Sequence, residues 1–351
     1  MVNVSVIRSQ NLSAASGGDH RYLIDSIPVI SKMIEDRSEV KNCLAHGYAP
    51  CGYTLADFSI IRAGDAWHLF HIPRVDGGEA VCIGHEHWFG HATSKDLDTW
   101  ITQNPVLCTD THNDFESAHL WAPFVMEHQG RYLMYYTGLD KELGQTLCVA
   151  ESDDPNLERW QKSSNNPIVD VCGFDWQWKT SQNRPRHMRD PHIVRIDDHY
   201  LLAYTTMRND GYPCVGGLIS YDLQKWEDIG PILYQRVPPA AWHPESVNIQ
   251  QLPDGRWVMM PSQCPGIHCF ISDDPYSWHY SKGVAVEYRN GTQSQPTGIE
   301  ILLRNDSGQL WLVAFFEVGN NRMFLGSLNI AGRQWCLQRI TNNGELEKWL
   351  R

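Results

Sequence analysis

Three acidic residues, Asp57, Asp190 and Glu245, begin stretches of sequence that follow one pattern. A β-rich run comes after each acid, and a Trp or Tyr follows ten to twelve residues later. Two carboxyl groups in one pocket can do acid and base chemistry when one gives up a proton and the other stays ionised. A single acid before a strand more often caps a turn. Because all three acids hold similar places in the repeat, we expect them to meet in one site.

The pattern occurs five times, and the other two copies begin at Ala122 and Glu300. Each copy has two alternating runs joined by a turn signal, then a third run rich in small and apolar residues. A Trp closes every copy, and these are Trp100, Trp160, Trp226, Trp278 and Trp335. Five such units predict an all-β fold, a five-bladed β-propeller of four-stranded antiparallel blades. The first strand of each blade would line the central channel, so the five strand starts converge at its mouth.

The repeat divides the chain into two parts. Residues 1–50 lie outside it and form an N-terminal extension, and residues 51–351 form the propeller that carries the site. Within the extension, VNVSVI reads as a strand, and residues 28–44 have the apolar spacing of a helix that starts at a Pro. We expect both segments to pack on the propeller.

Composition limits the partners and the compartment. The net charge of −12 argues against nucleic acid or an anionic membrane as the main partner. No basic segment followed by an apolar one opens the chain, and no apolar run is long enough to span a bilayer. The ten cysteines form no CxxC pair, which favours reduced thiols. We therefore expect a cytoplasmic protein.

Three further stretches carry a family resemblance, namely HLWAPFVMEHQGRYLMYYTG, MRDPHIV and FGHATSKDLDTW. They resemble motifs of the five-bladed β-propeller glycoside hydrolases of families 43 and 32, in the matching blades. The resemblance covers roughly residues 50–340 and implies cleavage of a small, furanose-type glycoside such as an arabinoside, xyloside or fructoside. Phe58 replaces the usual Pro after the first Asp, and Ser246-Val247 follows Glu245 in place of the relatives' residues. These departures leave the substrate open.

The resemblance also implies roles for the acids. Glu245 would be the general acid, with burial and a neighbouring carboxyl raising its pKa, and Asp190 would be that neighbour and orient the sugar hydroxyls. Asp57 would activate water in an inverting enzyme, as in family 43, or attack the anomeric carbon in a retaining one, as in family 32. The residues predicted to contact the substrate are Arg189, His119, Trp121, Trp88, Glu300 and Trp242. Arg189 could equally be a structural ion-pair partner.

A histidine cluster, HEHWFGH, contains His85, His87 and His91, and His119 lies further along. No Cys or carboxylate set completes a metal-ligand pattern, so hydrogen bonding to substrate or plain packing is favoured. We predict no metal and no cofactor.

Two alternatives remain open from the sequence. The propeller could have lost hydrolysis and become a sugar-binding or biosynthetic protein, because fold does not dictate function. It could also be a glycoside phosphorylase, which would need cations for phosphate near the acids. Four arginines leave that possibility open, and these are Arg184, Arg186, Arg189 and Arg208.

Overall fold

The computed structural model of the chain describes residues 38–75, 86–234, 244–262, 266–289, 294–331 and 334–350. The predicted VNVSVI strand, most of the predicted helix over 28–44, His85 and Trp242 lie outside these ranges. The described part is built almost entirely of strands that form five small, mainly antiparallel sheets. The predicted five-bladed propeller is confirmed.

Each blade is one sheet whose strands follow the order of the chain. The first blade contains β2 (Tyr53–Ala63), β3 (Ala66–Val75), β4 (Trp88–Ser94) and β5 (Trp100–Cys108). The second contains β6 (His119–His128), β7 (Arg131–Leu139), β8 (Gln145–Ser152) and β9 (Gln161–Lys162). The third contains β10 (Met188–Ile196), β11 (His199–Met207), β12 (Pro213–Ser220) and β13 (Glu227–Tyr234).

The last two blades depart slightly from this plan. The fourth contains β14 (Glu245–Gln251), β15 (Trp257–Ser262), β16 (His268–Ser272) and, as its outer strand, β18 (Val284–Ala285). β17 (Trp278–His279), which begins at the closing Trp of that repeat, instead pairs parallel with β13 of the third blade. The fifth contains β20 (Pro296–Arg304), β21 (Leu310–Glu317), β22 (Met323–Ala331) and β23 (Gln334–Arg339), and β19 (Glu287–Arg289) runs parallel beside β23.

The N-terminal extension contacts the first and the fifth blades. β1 (Glu39–Val40) pairs with β5, and a four-residue helix, α1 (Cys43–His46), follows it. Tyr48 then forms a bridge with Met323 of the fifth blade. The described helix is therefore much shorter than the predicted one and lies at its end. The C-terminal helix, α2 (Asn343–Leu350), buries Leu346 between the first and fifth blades.

The apolar core lies between neighbouring blades and is largely aromatic. Phe70 and Phe89 of the first blade pack with Tyr136 and Trp160 of the second in one buried cluster. Because each blade buries both of its faces against its neighbours, the strands carry long apolar runs and the ring closes on itself. The first strands β2, β6, β10, β14 and β20 contact one another around the channel. Their starts therefore meet at one mouth, as predicted.

Candidate active site

Every first strand has a β-bulge at the same place near the channel mouth. The ladder between first and second strands skips two residues in each blade, for example between Arg189 and His192. The first skipped residue is left-handed in four blades, namely Ala122, Asp190, Ser246 and Gly298, with φ between 45° and 58°. A bulge bends its strand and redirects side chains. The same device therefore turns residues of five blades toward the channel.

The bulges correct the predicted equivalence of the three acids. Glu245 lies immediately before its bulge, Asp190 is the first bulged residue, and Asp57 is the second. Glu300 is the first residue after its bulge. The acids thus occupy successive positions along the strand and not one position, so the expectation of a shared register was wrong by one or two residues.

The three acids nevertheless meet, because two neighbouring groups join them. The backbone N–H of Ser246 donates to Asp190 Oδ2 at 2.9 Å, and its hydroxyl donates to Asp57 Oδ1 at 2.6 Å. Arg189 Nη2 donates to Glu245 Oε1 at 3.0 Å, and Arg189 Nε lies 3.7 Å from Asp190 Oδ2. One hydrogen-bonded network therefore links carboxylates from the first, third and fourth blades.

Asp190 is the acid most strongly affected by its surroundings. Its side chain is 5% exposed, and burial raises its pKa to about 7. The Arg189 guanidinium opposes that rise, whereas the charges of Asp57 and Glu245 add to it. Burial therefore favours the protonated form of this carboxyl more than in a free aspartate.

The pKa of Asp57 is affected by two of the same neighbours, Glu245 and Arg189. Burial is the main cause that raises its pKa, and the hydroxyl of Ser246 opposes it by donating to the ionised form. The Glu245 charge raises the pKa, and the guanidinium groups of Arg74 and Arg189 lower it. Asp57 keeps partial contact with solvent in the structure, but its carboxyl is enclosed by the channel walls.

Glu245 differs from the prediction in its exposure. Its side chain is 57% exposed, and its partner is the guanidinium of Arg189. The expected burial of this carboxyl is therefore not found. Arg189 itself is nearly buried and also bonds His187 Nδ1 at 2.7 Å, so it acts as the ion-pair partner of the acids.

Glu300 lies on the wall of a cavity of about 30 Å³ that is also lined by Asp57, Asp190 and Ser246. Burial raises its pKa to about 8. His192 lines the same cavity, and burial lowers its pKa to about 3, which keeps the imidazole neutral. The cavity is no larger than a water molecule needs. Glu300 is half-buried and lines the wall of the site, and its contact with a sugar stays a prediction.

The predicted aromatic contacts divide into three groups. Trp121 is half-buried, and its Nε1 donates to Glu86 Oε2 at 2.6 Å. His119 is buried beside Trp121, with 6.3 Å between ring centroids, and stacks on His87. Trp88 is only 2% exposed, so its ring offers no open face for a sugar and the predicted contact is wrong. Trp242 stays a prediction outside the described residues.

The described histidines of the cluster lie in two separate places. His91 is buried in the first blade, where it bonds His68 at 3.0 Å and stacks on Phe70, whereas His87 stacks on His119. Among the described residues, no three His, Cys, Asp or Glu side chains are grouped so that they could hold a metal ion.

The described cysteines and helices add two observations. The eight cysteines in the described ranges are free, and four of them are buried. In the same ranges, no helix is both long and apolar enough to cross a membrane.

Sequence reasoning missed four residues of the site, Ser246, Glu86, Arg74 and His187. Ser246 was noted only as a departure from the relatives, although its place directly after Glu245 puts it on the bulge. His187 lies just before β10, and its nearness in sequence to Arg189 was the only signal for this contact. Glu86 and Arg74 gave no signal, since they flank the segment 76–85 and are brought together only by the fold.

Comparison with known proteins agrees with this architecture. A family model described as "Glycosyl hydrolases family 32 N-terminal domain" matches residues 58–332. The solved structure of fructan 1-exohydrolase IIa from Cichorium intybus superposes with a TM-score of 0.64 at 16% identity, covering 84% of this chain and 59% of that one. A thermostable family-43 glycoside hydrolase superposes with a TM-score of 0.59 at 14% identity, covering 82% of this chain and 94% of that one.

Two relatives in sequence bear different names. A 1,2-beta-oligomannan phosphorylase of Thermoanaerobacter sp. (strain X514) is 24% identical over 211 residues, which are 57% of this chain and 64% of that protein. Fructan 1-exohydrolase w1 of Triticum aestivum is 33% identical over 106 residues, 29% of this chain and 17% of that protein. The chain thus spans less than two thirds of these relatives.

The fold and its converging acids define a five-bladed propeller of the glycoside hydrolase type. With the family model matched over most of its length, the chain belongs to glycosyl hydrolase family 32.

Proposed function

We propose that this protein is a glycosidase that cleaves a small furanose-type glycoside, and that a fructofuranoside is its substrate class. The observation that carries the proposal is the linked set of Asp57, Asp190 and Glu245 at the mouth of a family 32 propeller. Relatives named as fructan exohydrolases support the choice of sugar. Trp121 and Arg189 are the proposed contacts with the sugar, together with His119 beside Trp121.

Each acid has a distinct task in the proposed reaction. Glu245 stands at the open side, where a bound sugar would cover it, and gives its proton to the leaving oxygen as the glycosidic bond breaks. Because Ser246 holds Oδ1 of Asp57, the attack on the anomeric carbon falls to Oδ2. Membership of family 32 favours this nucleophilic role and a retaining outcome. Glu245 then takes a proton from water as the water releases the sugar from Asp57.

Asp190 completes the site without bonding to the anomeric carbon. Its ionised form would accept hydrogen bonds from sugar hydroxyls, as carboxylates do in carbohydrate sites. Arg189 lies between Asp190 and Glu245 and limits the repulsion among the three charges. With a pKa of about 7, Asp190 makes binding sensitive to pH near neutrality.

The test is the release of fructose from sucrose and from an inulin-type fructan. Asp57→Asn and Glu245→Gln should each lower kcat by about 10³-fold or more, while thermal unfolding stays within a few degrees of wild type. NMR of the first anomer released decides between retention and inversion. An Asp57→Asn variant with wild-type activity would remove the assignment.

Phosphorolysis is a second candidate, favoured by one relative, the oligomannan phosphorylase, which matches over 57% of this chain. In that reaction phosphate takes the place of water. Of the four arginines considered from the sequence, three pair with groups outside the acidic network: Arg184 with Asp140, Arg186 with the Glu142 carbonyl, and Arg208 with Asp210. Only Arg189 belongs to the network, and it is already paired. Among the described residues, these four arginines thus offer little unpaired positive charge for phosphate, which favours hydrolysis.

A direct comparison separates the two reactions. The protein is incubated with sucrose, or with a β-1,2-linked mannose oligosaccharide, in the presence and absence of inorganic phosphate. Release of free sugar that does not depend on phosphate supports hydrolysis. Sugar 1-phosphate formed from the mannoside only when phosphate is present supports phosphorolysis.

A further inference from the structure

Glu86 is a buried carboxylate beside the acidic site that the proposed reaction does not use. Its side chain is 0% exposed, and its backbone is left-handed with φ 59°. Each carboxylate oxygen has its own short partner: Arg74 Nε donates to Oε1 and Trp121 Nε1 donates to Oε2, both at 2.6 Å. A fully buried charge is stable only when it is paired in this way.

The two partners belong to different blades. Arg74 lies on β3 of the first blade, and Trp121 lies on β6 of the second, just before its bulge. The carbonyl of Glu86 also accepts the backbone N–H of Leu120 at 2.9 Å. Glu86 therefore fixes the position of Trp121 from both its side chain and its backbone. An indole held at its edge keeps its ring face at a constant angle.

Trp121 is a half-buried aromatic of the site and packs against the core between the first and second blades. The ring of His119 lies beside it, tilted by 34° and itself stacked on His87 at 5.3 Å. Sugars bind aromatic rings through their apolar faces, so the angle of the indole decides how a sugar lies over the acids. A small tilt of such a platform is enough to move reacting atoms out of line.

Arg74 connects Glu86 to the chemistry, because it lies opposite Thr54 on the strand that carries Asp57. The main charges that act on Asp57 are those of Glu245, Arg74 and Arg189, and Asp57 and Asp190 also repel each other. The fifth blade faces Asp57 with the backbone of Gly298, and Glu300 lines the same cavity. Glu86 carries the negative charge that balances Arg74. Without it, the full charge of Arg74 would act on Asp57.

We propose that Glu86 is a positioning residue of this site, which sets the angle of the Trp121 ring for the sugar and balances the Arg74 charge that acts on Asp57. The role in sugar cleavage rests on the proposed function. The effect on Asp57 does not, because it involves only charges of the protein itself.

The main test is Glu86→Gln. The amide keeps the size of the side chain but removes its charge and can accept from only one of the two donors. Because no negative charge then balances Arg74, the pKa of Asp57 should fall. The acidic limb of the pH profile of kcat/KM should therefore shift to lower pH by about 0.5–1 pH unit. KM for 4-nitrophenyl β-fructofuranoside should rise about tenfold because Trp121 is no longer held.

Glu116→Gln is the matched control. Glu116 is also a buried carboxylate, 1% exposed, and accepts from Lys162 and Tyr136 at 2.6 and 2.7 Å. The charge of Glu116 is not among the main charges that act on Asp57. Its loss should lower the melting temperature in the same way but leave the acidic limb in place. If wild type and Glu86→Gln are both folded and the acidic limb of kcat/KM lies at the same pH in both, the proposal is overturned.

Trp121→Phe keeps the proposal testable if Glu86→Gln does not fold. This variant retains a ring but no N–H donor, and it leaves Arg74 paired with Glu86. KM should rise while the acidic limb stays where it is, whereas a shifted limb would contradict the separate roles of the two partners.

A measurement without substrate separates this proposal from the proposed function. Infrared difference spectra of wild type and Asp57→Asn follow the titration of the Asp57 carboxyl, with and without the Glu86→Gln change. Absence of any sugar cleavage would reject the proposed reaction alone. A titration of Asp57 that Glu86→Gln leaves unchanged would reject the electrostatic role of Glu86.

Discussion

The second and third blades build the same bulge at the channel mouth and place different side chains on it. Ala122 and Asp190 occupy equivalent positions, both buried and both left-handed, with φ 46° and 58°. The alanine brings no charge, whereas the carboxyl of Asp190 has its pKa raised to about 7. The repeated fold therefore sets the backbone, and the chemistry arises from one side chain and its charged neighbours in other blades.

The sharpest way to break this comparison is to remove the acid and keep the bulge. Asn tolerates the left-handed region, so Asp190→Asn should fold normally. The variant loses the carboxylate that accepts the Ser246 N–H and faces Asp57, and kcat/KM for sucrose should fall at least about a hundredfold. Ala122→Gly, which changes the equivalent residue of the second blade, should retain activity within a few fold. Similar losses in both variants would mean that the bulge, and not the acid, matters.

The same substitution should change how stability depends on pH. The folded protein holds the Asp190 proton up to about pH 7, whereas the unfolded chain releases it near pH 4. Stability of the wild type therefore falls as pH rises through this window. Asp190→Asn lacks that loss and should gain about 1–3 kcal/mol relative to wild type between pH 4.5 and pH 8. Urea unfolding at both pH values measures this gain. If the free energies of unfolding of variant and wild type differ by the same amount at both pH values, the prediction is contradicted.

Ser246 tests how the fourth blade adjusts the acid of the first. Ser246→Ala removes the hydroxyl that donates to Asp57 and keeps the N–H that donates to Asp190. The pKa of Asp57 should rise, and the acidic limb of the activity profile should move up by about 0.5–1 pH unit. The control is Ser262→Ala in the neighbouring strand, whose hydroxyl accepts the Gly298 N–H and does not touch an acid. If the acidic limb of the activity profile moves equally in Ser246→Ala and Ser262→Ala, the proposed effect of the Ser246 hydroxyl on Asp57 is rejected.

The smallest expected effect concerns the backbone alone. Ala122 has a side chain in the left-handed region, which costs about 1 kcal/mol relative to glycine. Ala122→Gly should therefore match or exceed the wild-type free energy of unfolding, by up to about 1 kcal/mol. Ala203→Gly in the regular strand β11 should lose about 0.5–1 kcal/mol. Chemical denaturation measures both, and a loss at Ala122 would mean that its methyl group contributes more packing than the strain costs.

The sequence was sufficient for the architecture because the information was repeated. Five hairpins, five closing tryptophans and apolar runs with period two all pointed to one fold. The partial failure came at the fourth blade, where the strand at Trp278 pairs with the third blade. A two-residue strand carries too little pattern to specify its partner.

The convergence of the acids was predicted from the sequence, but its geometry was not. Asp57, Asp190, Glu245 and Arg189 do meet, yet the bulge shifts them to successive positions, and bulges leave no clear mark in a sequence. Trp88 illustrates the opposite error, since a Trp next to a histidine cluster looks exposed until packing is known. Glu86 lay beyond sequence reasoning because its role depends on partners from two other strands.

The segment from Trp278 to Arg289 ties three blades of the ring together. Its three short strands pair in turn with the third blade, with its own fourth blade and with the fifth blade. The fourth blade therefore cannot come away without disturbing the neighbours on both sides, and a single protease cut in this segment would release restraints on three blades at once. Unfolding that starts here would spread across more than half of the ring, including the blades that carry Asp190 and Glu245.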